Sequence, residues 1–328
     1  MTRLTRRTTL SGAAAAMTTL SVSVPAAAQT WPSKPIRFLA TFPPGGIVDV
    51  FARHYAEAIA PKLGQQIVVD FKSGASGAIG AVEVKQAPPD GHTLMWTIST
   101  TMIMNKVTMK SLPYDPDKDF VPVSYLGAGA LPMLVARSVP AMNIKEFVEF
   151  ARANKVSMGT YGVGSYGHIA VQELNREFGL SMEAVHYRGE VAMWTDLAAG
   201  TIHAASGSYL SASRLLQAGT GRAIAVPTNK RMKKLPDVAT FLEQGVKSKA
   251  FQILGWIGMF APTGVPQPII DRLSDLMVEA GKTEKIQTML DSFGIDRAAE
   301  DRHFLRKIIA DEGPIWIELV KSLGITPQ

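Results

Sequence analysis

The stretch Thr41-Phe42-Pro43-Pro44-Gly45-Gly46-Ile47-Val48-Asp49 limits what this chain can become more than any other. Its two prolines fix φ at successive positions, and its two glycines then let the backbone turn sharply without a Cβ clash. Before it, Ile36–Ala40 reads as a short buried strand. After it, Val50, Phe51, His54 and Ala58 fall along one side of a helix predicted over residues 50–62. A stiff loop between strand and helix gathers free N–H groups and the positive end of a helix dipole at one point, which favours an anion. An ordinary strand-to-helix turn is the alternative reading of these residues alone.

The first 28 residues read as an export signal rather than as part of the fold. Arg3, Arg6 and Arg7 precede an apolar, alanine-rich run over 12–24, followed by Ala26-Ala27-Ala28 and Gln29. That run is too short to span a bilayer. Thr5-Arg6-Arg7-Thr8-Thr9-Leu10 resembles a twin-arginine signal, with Thr9 where an aromatic is usual; a Sec signal is the alternative. The mature chain is then expected to begin near Gln29 and to work in the periplasm. No cysteine is present, which excludes a disulfide framework, a thiolate metal site and a cysteine nucleophile. No later run is long and apolar enough to cross a membrane. Losing the three arginines takes the net charge from +6 to +3, too mild to argue for nucleic acid or a polybasic membrane surface. About 300 residues exceed what one core usually supports, so two domains are expected.

Strand and helix patterns alternate from there on. Strands are predicted over 66–71, 93–99 and 120–126, with a glycine-rich turn over 72–78 opening a helix to Gln86 and turns at Pro88-Pro89-Asp90-Gly91 and Pro113-Tyr114-Asp115-Pro116. Short connections between alternating elements mean a mostly parallel sheet covered on both faces. A second α/β unit follows: a strand over 132–136, a helix capped by Asn143, and a strand over 156–161 running into Gly162-Val163-Gly164-Ser165-Tyr166-Gly167-His168. The next helix stops at Gly179. Further strands are predicted over 184–187, 202–205, 222–226 and 253–260, with helices over 192–199 and 211–218 and three more at the end.

Two units thus carry the same device of strand, glycine loop and helix N-terminus, at 42–49 and 161–168. Ligands of open α/β sheets bind at the carboxyl ends of strands, so both loops belong at a cleft edge. If the units face one another, their N–H groups and the hydroxyls of Tyr161, Ser165 and Tyr166 can grip one small anion from both sides.

The chain resembles the Bug family, the periplasmic receptors of tripartite tricarboxylate transporters. The residues that carry the likeness run in order through nearly the whole mature chain. They include Trp31-Pro32-Ser33-Lys34-Pro35-Ile36, then Phe42-Pro43-Pro44-Gly45-Gly46 with Asp49, Pro89-Asp90-Gly91-His92 and Pro113-Tyr114-Asp115-Pro116. In the second half they include Gly164-Ser165-Tyr166-Gly167-His168, Tyr187-Arg188-Gly189, Leu235-Pro236-Asp237-Val238 and Ala261-Pro262-Thr263-Gly264. The resemblance implies an α/β, two-lobed periplasmic-binding-protein (Venus-flytrap) fold, each lobe a mostly parallel sheet flanked by helices. It implies a first lobe of 29–126 plus 251–328 and a second of 127–250. It also implies a small organic carboxylate held by the first loop, at Phe42, Pro44, Gly45 and Gly46, and delivery to the membrane permease subunits. The chain departs from the family at 70–76, at Val185-His186, and at Ala192-Met193-Trp194, where a Pro-Ala pair is usual.

Each candidate has a second reading. Asp49 in a helix's first turn suits a scaffolding role, accepting loop N–H bonds, as well as ligand contact. Ser165 and Tyr166 are ligand donors or turn residues; His168 is a donor or a cap. Arg188 offers a bidentate fork for a carboxylate, or a surface ion pair. Thr100, Thr101, Gly167 and Ser206 lie next to predicted strands and line the cleft on this reading. Trp194 stacks on a ligand or packs in the core. Gly162, Gly164 and Gly167 also spell a dinucleotide fingerprint, with Glu190 about 23 residues later. The competing function is therefore an exported nicotinamide-dependent oxidoreductase. Val163-Gly164-Ser165-Tyr166-Gly167 approaches a hydrolase elbow, but no matching acid and histidine can be placed. The reading that emerges is a monomeric receptor, not an enzyme, with no cofactor and no nucleic-acid partner.

Overall fold

The computed structural model describes residues 31–322, 324, 326 and 327. The export signal expected at 1–28 lies outside the described residues. In chain order the first elements are β1 (Ile36–Ala40), α1 (Ile47–Leu63), β2 (Ile67–Phe71), α2 (Ala78–Lys85), β3 (Thr93–Ile98), α3 (Asn105–Thr108) and β4 (Phe120–Ala128). The next series is β5 (Met133–Ala136), α4 (Ile144–Ala153), β6 (Ser157–Thr160), α5 (Tyr166–Phe178) and β7 (Glu183–His186), then α6 (Glu190–Ala199), β8 (Ala204–Ser206), α7 (Tyr209–Ala218) and β9 (Gly221–Ala225). The chain closes with β10 (Trp256–Pro262), α8 (Gln267–Gly281), α9 (Glu284–Ser292) and α10 (Arg302–Ser322).

Local chemistry accounts for the ends of these elements. Asn143 accepts from the Glu146 amide at 2.9 Å, while Glu146 reaches back to the Met142 amide at 2.7 Å, so the start of α4 is stapled from both sides. Helix α5 ends where Gly179 takes a left-handed φ of +62°, a conformation that costs glycine nothing.

The strands form two five-stranded sheets, ordered β2-β1-β3-β10-β4 and β7-β6-β8-β5-β9. In the first, β1 pairs in parallel with β2 and β3, and β10 runs against both β3 and β4. In the second, β6 pairs in parallel with β7 and β8, and β5 runs against both β8 and β9. Four strands of each sheet therefore share a direction and one is reversed. The alternation of elements led to the expectation of mostly parallel sheets, and the two reversed strands are what it did not reveal. Both arise at the crossings between sheets: β5 follows the edge strand β4, and β10 follows the edge strand β9.

The first sheet is covered on both faces. One face meets α1, α8 and α9 through Phe38, Phe51, Ile59, Trp96, Met277 and Phe293. The other shares a core with the second lobe, in which Met95, Phe260 and Trp316 join Leu134, Met158 and Leu197. Strand β10 is buried at every position, as expected for a strand between two covered faces.

Candidate ligand-binding site

The loop after β1 is held before any ligand is considered. Thr41 donates its amide to the Trp96 carbonyl at 3.1 Å, and its hydroxyl meets that of Thr97 at 2.7 Å. Gly45 sits at φ +86°, where a side chain would be strained, and gives its amide to Asp49 Oδ2 at 2.7 Å. Asp49 Oδ1 accepts from Arg53 Nε at 2.6 Å. The carboxylate is thereby spent on the loop and the next turn of the helix. The amides of Gly46, Ile47 and Val48 find no acceptor among the described residues and stand at the positive end of α1.

Those amides border a cavity of about 340 Å³ between the lobes. The first lobe contributes Phe42, Pro44, Gly46 and the start of α1; the second contributes Tyr161 and the run Arg188 to Ala192, the N-terminus of α6. Trp256 and Ile257 of β10 form part of the wall, with Gly129 and Leu131 from the crossing segment. Two helix N-termini, one from each lobe, thus open on one space. The lobes touch at its rim: a Cβ added to Gly189 would lie 3.0 Å from Pro43 Cδ, and one added to Gly45 would lie 3.6 Å from Val191 Cγ2.

The walls are mostly apolar, and two charges face the cavity. Arg188 has an exposed guanidinium with no acidic partner among the described residues. Glu190 accepts from the Ser208 amide at 2.9 Å through Oε1 and from the Ser208 hydroxyl through Oε2. Burial pushes its carboxyl above the ordinary range, against those hydrogen bonds. The Tyr161 hydroxyl is likewise pushed up, first by burial and then by the charge of Glu190, while the Tyr166 amide favours its ionised form.

A second space of about 320 Å³ shares Phe42, Pro43, Tyr161 and Arg188 with the first. On its far side the loop 72–77 reaches across. Ser76, at φ +50°, donates its hydroxyl to the Val163 carbonyl of the other lobe at 2.8 Å. Thr101 Oγ1 and Asn105 Nδ2 both donate to the Ser76 carbonyl, at 3.0 and 3.1 Å, and Thr97 supports Thr101 at 2.8 Å. This contact is a polar clasp between lobes.

The sequence-predicted residues separate accordingly. Phe42, Pro44, Gly46, Tyr161 and Arg188 line the cavity, and Gly45 abuts its rim. Asp49 lies behind the loop. Thr101 supports the clasp and Thr100 is buried at the start of the helical turn after β3. The device expected at 161–168 is used differently from its counterpart at 42–49. Ser165 caps α5 by accepting the His168 amide at 3.4 Å, and its own amide donates to the Gly162 carbonyl. His168 Nδ1 takes the Gly164 amide at 3.1 Å. The ring stands 4.6 Å from that of His186, and burial lowers its pKa to about 4. Tyr166 is buried edge-on against Trp316. Gly167 packs on the backbones of Thr160 and Ser206, and Ser206 is fully buried. Ser165, Tyr166, Gly167, His168 and Ser206 therefore build the lobe behind the cavity, and α6 supplies the facing helix end. The amides of Gly164, Ser165 and His168 are thereby taken within the loop itself, which leaves fewer donors for a nucleotide pyrophosphate on the dinucleotide reading of Gly162, Gly164 and Gly167. Trp194 lies in the core.

Sequence reasoning missed Val191, Ala192, Trp256, Ile257 and the site role of Glu190. The one available signal was the departure from the family pattern at 192–194.

A cavity enclosed by two α/β lobes joined by strand crossings, with a helix N-terminus entering from each, defines a two-lobed solute-binding protein. The sequence matches the family described as tripartite tricarboxylate transporter family receptor over residues 51–325, and the chain belongs to that family. Among solved structures it is 28% identical to an R. palustris protein with adipate, with a TM-score of 0.86 over 91% of this chain and 100% of that one. It is also 28% identical to the periplasmic binding protein BugD, with a TM-score of 0.83 over 91% and 100%. MatC from Rhodopseudomonas palustris with bound malate is 27% identical, with a TM-score of 0.81 over 88% and 100%. No helix among the described residues is long and apolar enough to cross a membrane.

Proposed function

We propose that this protein is a periplasmic receptor that binds a small organic carboxylate between its lobes and hands it to the permease subunits of a tripartite tricarboxylate-type transporter. It does so as a monomer and performs no covalent chemistry. Residues 1–28 are the export signal, 29–126 plus 251–328 form the first lobe, and 127–250 form the second. The observation that carries the reading is the pair of helix N-termini, from α1 and α6, opening on one cavity beside the unpaired Arg188.

On this reading the ligand carboxylate takes the amides of Gly46, Ile47 and Val48, with Arg188 as the charged partner. Each hydrogen bond to an ionised group contributes about 1.5–3 kcal/mol net. Asp49 and Gly45 hold the loop; Phe42, Pro44 and Tyr161 shape the space. The family assignment and the carboxylates bound in similar structures support it. Closure around the ligand gives the permease a shape distinct from the unliganded one.

The test is a thermal-shift screen of carboxylic acids followed by calorimetry. A bound carboxylate at a hundredfold excess over Kd stabilises the native state by about 2.7 kcal/mol and raises the melting temperature. Arg188→Ala is expected to weaken that ligand roughly ten- to hundredfold, and Gly46→Val, which adds bulk to a residue of the cavity wall, at least as much. Retention of full affinity in both variants would overturn the assignment.

A further inference from the structure

We propose that the ligand is a monocarboxylate with an apolar body that offers a hydrogen-bond donor to Glu190, and that Glu190 rejects a second carboxylate. This inference rests on the carboxylate-receptor reading and narrows its substrate class.

The charged side chains facing the cavity are one cation and one anion, Arg188 and Glu190. With the loop amides, Arg188 matches a single carboxylate. A dicarboxylate would bring two negative charges into a lining that offers one cation, Arg188, with no second cation to meet the extra one. The cost of an unpaired charge rises as water is excluded, and most of the remaining wall cannot hydrogen-bond. Ile47, Ile98, Leu131, Val191, Trp256 and Ile257 suit hydrocarbon, not a hydrated anion.

Glu190 is built into the wall rather than adrift in it. Ser208 donates once to each oxygen, from its amide and from its hydroxyl. Gly207 lets the carboxyl lie against the backbone, since a Cβ there would stand 3.1 Å from Oε1 and 2.8 Å from Trp194 Cζ2. No basic side chain forms an ion pair with Glu190 among the described residues. Trp194 and Ser211 also favour its ionised form through side-chain hydrogen bonding, and the acceptor capacity left on the two oxygens lies at the cavity wall. A ligand hydroxyl or ammonium completes the group; a ligand carboxylate opposes it.

The experiment measures Kd for two length-matched series on the intact mature protein: hexanoate, 6-hydroxyhexanoate and adipate; benzoate, 4-hydroxybenzoate and terephthalate. In the better-binding series, the hydroxy acid is expected to bind at least tenfold more tightly than the diacid. Glu190→Gln, which keeps the shape and an acceptor for the Ser208 amide, is expected to cut that ratio at least fivefold, chiefly by improving the diacid. Unliganded melting curves of both proteins establish that the variant is folded. A wild-type preference for adipate or terephthalate overturns the proposal, and so does an unchanged ratio in Glu190→Gln. Binding of none of the six, while another acid of the broad screen binds, also overturns it and leaves the receptor reading standing. If no carboxylate in the broad screen binds, the receptor reading falls as well.

Discussion

Asp49 and Glu190 are both acids beside a space proposed to hold an anion, and they act in different ways. Asp49 satisfies the Gly45 amide and Arg53 inside its own lobe. Asp49→Ala leaves that amide without its acceptor and is expected to cost about 1–3 kcal/mol of stability, read by urea unfolding, together with a weaker ligand. Asp49→Asn, which keeps an acceptor, is expected to restore most of the stability. His168 gives a pH signature. Its folded pKa is lowered to about 4 from 6.5, first by burial and then by His186. Below about pH 6.5 the unfolded imidazole takes up a proton that the folded one refuses until about pH 4, so stability present at neutral pH is lost across that window. The loss should approach roughly 3 kcal/mol, and unfolding curves at several pH values would detect it. A stability that is flat between pH 6.5 and 4 would contradict the buried, neutral ring. The scaffolding option for Asp49 could be read from its position in a first turn. The setting of Glu190 could not, because Ser208 lies 18 positions away and reaches it only through the order of strands in the second sheet.

At the scale of elements, the two glycine loops look alike in sequence and differ in what their amides do. After β1 the Gly45 amide is taken by Asp49, and those at the start of α1 stay free; after β6 the amides of Gly164, Ser165 and His168 are taken by His168, the Gly162 carbonyl and Ser165. No pattern of apolar residues distinguishes these cases, because the difference lies in side chains folding back on their own loop. The alternation of strands and helices was legible because burial on both faces imposes it, whereas the reversal of β5 and β10 leaves no mark on local periodicity. The loop over 72–77 reads only as a glycine-rich turn, yet it carries the one hydroxyl that crosses to Val163. Ser76→Ala removes that bond from the form in which the lobes touch. It is expected to raise the ligand Kd about two- to tenfold, matching a net 0.5–1.5 kcal/mol, with little change in the melting temperature of the unliganded protein if its lobes then stand apart. Calorimetry and a melting curve on the same sample would check both halves.

At the scale of the molecule, contacts such as Pro43 against Gly189 and Tyr166 against Trp316 tie the lobes together at separate points. Small-angle scattering is expected to give a smaller radius of gyration with a binding carboxylate than without; equal values would argue against closure as the signal to the permease. The reciprocal exchange of β5 and β10 has a consequence in time. All five strands of the second sheet have emerged once residue 225 appears, so that sheet can pair while the rest of the chain is still being made. The first sheet has its β3 and β4 in hand far earlier, but the strand that belongs between them begins only at Trp256. The half that is written first is therefore completed last, and a chain cut short before Trp256 would leave β3 and β4 without the strand that joins them.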